Sequence, residues 1–166
     1  MVEVRVAVSV AELEGARECW RAANVARGKA PGAGRVERVR EKLADPEALV
    51  LVAVEGGGVV GMVLAEAGRA EDGRGPVEPG LWHVSMVFVR PECWGAGVGA
   101  ALLGALKERV AGRLQVWTGV GNERALALYR RAGFGASGRR REIFGVGQVV
   151  HLVWSREVTR ATRRLP

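Results

Sequence analysis

The sequence predicts an α/β fold: a single domain with a mixed, mostly antiparallel sheet flanked by helices. Three observations carry that prediction. Stretches alternating at a period of two are interleaved with stretches whose apolar residues recur at helical spacing. Gly56-Gly57-Gly58 joins two β-branched runs, as a hairpin turn does. In the second half strand and helix patterns alternate, which requires some parallel pairing within an otherwise hairpin-built sheet.

Taken in order, Val2, Val4, Val6 and Val8 alternate with Glu3 and Arg5 and give a first strand. Ser9 caps the helix that follows; Glu12 completes a capping box, and Leu13, Ala16, Trp20 and Ala23 form the apolar stripe. Gly28 to Gly34 reads as a loop. Val36, Val39 and Leu43 return to helical spacing until Asp45-Pro46, where proline ends the pattern. Leu49 to Glu55 and Val59 to Glu66 are the hairpin strands, Gly68 to Gly80 a polar loop with two prolines, and Leu81 to Val89 a strand that stops at Pro91. After a glycine loop come a helix over Ala100 to Val110, a strand over Leu114 to Thr118 and a helix over Asn122 to Ala132. Two last strands cover Phe134 to Phe144 and Gln148 to Ser155. With no repeat, low-complexity tract or linker in view, the expected division is one domain over 1–156 and a basic tail over 157–166.

At 166 residues and 48% hydrophobic composition the chain can bury one continuous core. Met1 to Val10 carries charges at Glu3 and Arg5 and no long apolar run, so neither a secretory signal nor a membrane span is read there. A soluble cytoplasmic protein with no membrane partner is expected. Cys19 and Cys93 lie far apart without metal-ligand spacing and read as ordinary fillers. The net charge of +7 and pI near 10.6 suit a polyanionic partner. Much of that excess, however, sits in Arg139, Arg140, Arg141, Arg156, Arg160, Arg163 and Arg164, where solvated surface is the plainer reading. Aromatic residues make only 5% of the chain and do not interleave with basic ones, so a base-stacking platform for nucleic acid is poorly supported.

The most informative stretch is Val87-Phe88-Val89-Arg90-Pro91-Glu92-Cys93-Trp94-Gly95-Ala96-Gly97-Val98-Gly99-Ala100-Ala101-Leu102. Glycines at alternate positions before a helix let several backbone N–H groups converge on a phosphate with no side chain in the way, and the helix dipole adds partial positive charge there. A pyrophosphate fits such a loop; the competing reading is a glycine turn needed only for tight strand–helix packing. Gly95, Gly97 and Ala100 also satisfy the dinucleotide pattern G-x-G-x-x-A, yet the next strand ends Val116-Trp117-Thr118-Gly119 with no acid to hold a ribose. A nucleotide-triphosphate loop fails because no Gly-Lys-Ser/Thr follows.

Together these residues resemble the GCN5-related N-acetyltransferase (GNAT) family. Its acetyl-CoA loop is written V-x-P-x-x-R/Q-G-x-G-x-G/A before a leucine-containing helix, and Val89, Pro91, Gly95, Gly97, Gly99 and Leu102 stand at the matching places. Trp94 stands where the pattern has Arg or Gln. Asn122-Glu123-Arg124-Ala125-Leu126-Ala127-Leu128-Tyr129-Arg130-Arg131-Ala132-Gly133-Phe134 matches the second signature, N-x-x-A-x-x-L/F-Y-x-x-x-G-F, without a gap.

The resemblance implies a sheet splayed between the fourth and fifth strands and acetyl-CoA as cosubstrate. The amides of Gly95, Ala96, Gly97, Val98, Gly99 and Ala100 would hold its pyrophosphate, and backbone near Val87 and Val89 would pair with its pantetheine arm. It also implies direct attack of a primary amine, from a small molecule or a peptide, on the thioester, without metal or covalent enzyme intermediate. Asn122 is a favourable helix cap, and Tyr129, the only tyrosine, lies near the same helical face, so that both can line one groove and the phenol can donate to the departing thiolate; an interfacial core tyrosine beside a plain helix cap is the alternative. Strand alternation puts His83, Ser85, Val87 and Val89 on one face. Family members often carry glutamate or histidine at the place of His83, and imidazole, with a reference pKa of about 6.5, can take the amine's proton; a partly buried structural histidine is the plainer alternative. Glu66 and Glu142 are fallback bases, and His151 reads as structural or pocket-lining. Two rival functions stay open, an inactive acyl-CoA-binding regulatory module and a basic nucleic-acid-binding protein. The acceptor and the oligomeric state, with a homodimer among the options, are not legible.

Overall fold

The computed structural model describes residues 1–156; the basic tail expected over 157–166, including Arg160, Arg163 and Arg164, lies outside the described residues. The elements are β1 (Glu3–Val6), α1 (Val10–Ala26), α2 (Ala33–Ala44), β2 (Leu49–Glu55), β3 (Gly58–Arg69), a four-residue turn α3 (Ala70–Gly73), β4 (Val77–Val89), α4 (Val98–Arg109), β5 (Arg113–Gly119), α5 (Glu123–Arg131), β6 (Gly135–Ile143) and β7 (Gly147–Ser155). The seven strands hydrogen-bond in the order β1-β2-β3-β4-β5-β7-β6. β1–β2, β2–β3, β5–β7 and β6–β7 pair antiparallel, and β4–β5 pairs parallel. The sheet is thus mixed and mostly antiparallel, as predicted.

Two compact units divide the chain. One comprises Met1–Glu66 and Ser85–Glu108, the other Ala67–Val84 and the chain from Arg109 onward. In the first, Ala16, Cys19 and Trp20 of α1 and Val39 and Leu43 of α2 pack on Val50, Val52, Met62, Leu64 and Met86 of the sheet. Leu51, Ala53, Val63 and Ala65, at the alternate positions of β2 and β3, are also fully buried, so these strands are covered on both faces. In the second unit Leu81, Leu114, Val116, Tyr129, Phe134, Val149, Leu152 and Trp154 are buried.

The start of α1 follows from its sequence. The Ser9 hydroxyl accepts from the Glu12 amide at 3.1 Å, and the Glu12 carboxylate accepts from the Ser9 and Val8 amides at 3.1 and 2.8 Å and from Arg5 at 2.9 Å. Those amides, with Arg5, hold the Glu12 carboxyl down to about 2 from an ordinary 4.5. A depressed carboxyl pKa contributes stability above the ordinary value, and this is lost as pH falls through the folded one, here from 4.5 toward about 2. Ser9→Ala removes one half of the box and is expected to cost about 1 kcal/mol in chemical denaturation at neutral pH. An unchanged midpoint would mean that water replaces the cap without loss.

Two expectations are corrected. Gly68 to Gly80 is not a loop: β3 continues to Arg69 and β4 begins at Val77. The reason is packing, because a Cβ at Gly68 would run into the Leu81 side chain, so this glycine serves cross-strand contact rather than chain reversal. The turn itself is confined to Ala70–Pro76, closed by the Ala70 amide on the Pro76 carbonyl at 3.0 Å and the Gly75 amide on the Ala70 carbonyl at 2.9 Å. Second, α4 begins at Val98 rather than Ala100, which moves Gly99 into the helix. Along the end of β4, Met86 and Phe88 pack with the α1 and α2 cluster, and the Ser85 hydroxyl between them and Val84 receives the Lys42 amine.

Candidate active site

In the first unit, β4 ends at a tightly held corner. The Arg90 amide donates to the Val60 carbonyl at 2.8 Å and its guanidinium to the Val59 carbonyl at 2.8 Å, tying the strand end to β3. Pro91–Cys93 then forms a single 3-10 turn. Trp94 folds back so that its indole N–H donates to the Val89 carbonyl at 2.9 Å. The residue at the family's Arg/Gln position therefore braces the loop.

Gly95 and Gly97 take left-handed φ values of +79° and +84°, and a Cβ built on either would meet nothing within 4 Å. Left-handed backbone favours glycine, and the open side rules out the reading of these two glycines as packing residues. The first bond of α4 runs from the Ala101 amide to the Gly97 carbonyl at 3.0 Å. Consequently the Val98, Gly99 and Ala100 amides have no carbonyl one turn back to receive them, and they point along the helix axis at its positive end. No acidic residue stands in that first turn to oppose an anion. Of the six amides predicted to hold a pyrophosphate, that of Ala96 is turned inward, donating to the Cys93 carbonyl at 3.3 Å.

Sequence reasoning missed what holds this helix in place. A Cβ at Gly61 of β3 would lie 2.8 Å from a Val98 methyl, 3.1 Å from a Leu102 methyl and 3.4 Å from the Phe88 carbonyl. The helix start therefore sits on β3 at a distance only glycine permits. A lone glycine inside a β-branched run was the available signal.

The second unit carries the other motif. Asn122 caps α5: its side-chain oxygen accepts from the Ala125 amide at 3.3 Å, and its own amide donates to the Gly119 carbonyl at 3.0 Å. Tyr129 is the one buried residue of α5, 6% exposed, with its ring edge-on to Phe134 at 5.4 Å between centroids. Burial pushes the phenol's pKa upward, so it stays protonated at neutral pH. His83 is half-buried and stands opposite Gln115 in the parallel β4–β5 register, whose paired residues are Leu81–His83 and Arg113–Gln115.

Of the remaining candidates, His151 and Glu66 have structural partners. His151 is buried, with Nδ1 2.7 Å from the Ser137 hydroxyl, Nε2 2.9 Å from the Gln115 side-chain oxygen, and its ring against Trp117. Burial first, then Arg139 and Arg141, lower its pKa and keep it neutral. Those two arginines are not free surface: both guanidinium groups lie over Trp117, Arg139 pairs with Asp72 and Arg141 donates to the Asp72 carbonyl. Glu142 is exposed on β6, whereas Glu66 is held by Lys42 at 3.0 Å.

The acetyltransferase (GNAT) family model matches residues 15–134, a span that includes the glycine loop and the whole Asn122–Phe134 motif. The chain belongs to the GNAT acetyltransferase family. No curated protein matches its sequence. Among solved structures it is similar to the ribosomal-protein-S18-alanine N-acetyltransferase of Escherichia coli, at 16% identity and a TM-score of 0.71 over 93% of this chain and 94% of that one. It is similar also to aminoglycoside acetyltransferase AAC(6')-Ib in complex with coenzyme A, at 21% identity and a TM-score of 0.73 over 98% and 99%. A GNAT acetyltransferase of Bacillus cereus gives 14% identity and a TM-score of 0.72 over 93% and 97%. At such identities the likeness is one of fold.

Proposed function

We propose that this protein is an acetyl-CoA-dependent N-acetyltransferase that moves the acetyl group onto a primary amine of a small molecule or peptide by direct attack on the thioester. The observation that carries the reading is the pair of left-handed glycines, Gly95 and Gly97, whose outer side is open and which lead into a helix with three unspent amides. AAC(6')-Ib, of the same fold, has been solved with coenzyme A and with acetyl-CoA, which supports a CoA ligand here.

In this reading the amides of Gly95, Gly97, Val98, Gly99 and Ala100 bind the pyrophosphate, and backbone at Val87 and Val89 pairs with the pantetheine arm. The Val89 carbonyl also receives the Trp94 indole, which fixes the strand end beside the loop. Asn122 uses its side-chain oxygen as a cap and offers its NH2 to the ligand. Acetyl-CoA supplies the activated thioester. His83 takes the proton of the attacking amine, and Tyr129 donates to the departing sulfur.

The test is turnover of acetyl-CoA against polyamines, aminoglycosides, amino acids and peptide N-termini, together with calorimetric binding. Acetyl-CoA binding with transfer to at least one amine is expected. Binding without turnover on every amine would instead favour the acyl-CoA-binding module. For the active amine, His83→Ala should lower turnover by about 10²- to 10⁴-fold with little change in acetyl-CoA affinity. A wild-type pH–rate profile in that variant would assign proton removal to water or to another side chain.

A further inference from the structure

We infer that Lys42 is itself an acceptor of the protein's acetyl transfer, a self-modification site in which Glu66 takes the amine's proton. This rests on the reading of the chain as an acetyl-CoA-dependent transferase. The chain meets its need for positive charge almost wholly with arginine: Lys29, Lys42 and Lys107 are its only lysines. Arginine does not lose its proton in proteins and is no nucleophile, whereas a lysine amine becomes one once deprotonated.

Of the three, Lys42 is fastened to β4. From the last turn of α2 its amine donates to the Ser85 hydroxyl at 2.7 Å and to the Glu66 carboxylate at 3.0 Å. Both partners are half-buried and the lysine side chain is 42% exposed. A pair this exposed contributes little to stability, so holding the fold together is a weak account of it.

Position along the strand supplies the stronger account. β4 runs from Ser85 through Val87 and Val89 into the glycine loop. A pantetheine arm whose pyrophosphate end lies on that loop and which pairs with Val89 and Val87 must run back along β4. Its thioester end then comes toward Ser85, about 13 Å from Val89 at a rise of roughly 3.3 Å per residue. The Lys42 amine is held where that end arrives.

The step balances with the groups present. Lys42 gives its ammonium proton to Glu66, and the neutral nitrogen attacks the thioester carbonyl carbon. The N–C bond forms, the C–S bond breaks, and the CoA sulfur leaves and takes up a proton. That proton is the nitrogen's second, given up as the neutral amide forms, and Glu66 returns the first to water, so the product holds no ion pair with Glu66. No oxidant or reductant is required. The same constellation describes what an external acceptor has to offer, a primary alkylamine.

The test uses the full chain incubated with acetyl-CoA, digested and mapped by mass spectrometry over time, with acetyl-CoA affinity measured calorimetrically on the same preparation. Lys42 should gain one acetyl group at least tenfold faster than Lys29 or Lys107, with a first-order rate independent of protein concentration. Excess CoA should suppress the labelling, Lys42→Arg should remove it from that peptide, and Glu66→Gln should slow it about tenfold or more. Lys107 is a demanding control, because burial lowers its pKa and favours uncatalysed acetylation. If acetyl-CoA binds but Lys42 is labelled no faster than the other two, or labelling is indifferent to CoA, the inference falls and the transferase reading stands. A rate that scales with protein concentration overturns self-transfer as well. Absence of acetyl-CoA binding overturns both.

Discussion

Gly97→Val is expected to weaken acetyl-CoA binding by about 10²-fold or more while the rest of the chain stays folded. Two effects act together. At φ +84° a β-branched residue is strained, so the backbone relaxes and the neighbouring amides turn away. The new side chain also occupies the open side of the loop, where an added Cβ meets no protein atom within 4 Å. Losing two charge-assisted hydrogen bonds of about 1.5–3 kcal/mol each accounts for that size of effect. Gly61→Ala should reach the same loop from behind, because its methyl would stand 2.8 Å from Val98 at the first position of α4. It should lower both stability and affinity, and Val98→Ala in the same chain should restore part of each, since the two changes share one contact. Calorimetry and thermal unfolding on the single and double variants decide the matter. Undiminished affinity in Gly97→Val would remove the loop from the binding site, and strictly additive effects of Gly61→Ala and Val98→Ala would sever the proposed link between β3 and the helix start.

Those two glycines also mark how far the sequence could be read. Gly97 was legible because its neighbours form a pattern: glycines at alternate positions between a strand and a helix have a local reason to be there. Gly61 was not, because its reason is a methyl group of Val98, thirty-seven residues further on. The same division holds elsewhere. The Ser9–Glu12 box and the bounds of β2 are set by residues within one turn or one hairpin, and the structure has them as expected. Gly68 was misread as a loop signal because only its partner Leu81 reveals that it is a packing position. The Lys42–Glu66–Ser85 group joins residues 24 and 43 positions apart on a helix and two strands, with no periodicity to announce it. The stacking of Arg139 and Arg141 on Trp117 likewise turns what composition presents as solvated charge into a fixed layer over β5. Local chemistry can be read along the chain; contacts created by the sheet order cannot.

Tyr129→Phe should slow the chemical step by about 10- to 10²-fold while leaving fold and acetyl-CoA affinity nearly unchanged. The ring is retained, so the edge-on contact with Phe134 survives and only the hydroxyl is lost. That loss falls on the transition state. Burial raises the phenol's pKa above its ordinary 10, while an ordinary thiol lies near 8.5, so complete proton transfer to a solvated thiolate would run uphill. What the phenol supplies is a hydrogen bond that strengthens as charge develops on sulfur, and an interaction made there lowers kcat rather than ground-state binding. The size expected follows from one charge-assisted hydrogen bond, about 1.5–3 kcal/mol. Because a raised phenol pKa keeps the donor protonated in the folded state, its contribution is fully present below about pH 10 and adds no limb to the rate profile there. Acyl donors with a more acidic leaving thiol should be slowed less, since less charge needs stabilising on departure. Single-turnover kinetics, in which product release cannot hide the chemical step, make the comparison. A wild-type rate in Tyr129→Phe with acetyl-CoA, or an equal loss for donors of every thiol acidity, would return Tyr129 to the role of a core aromatic that packs α5 against Phe134.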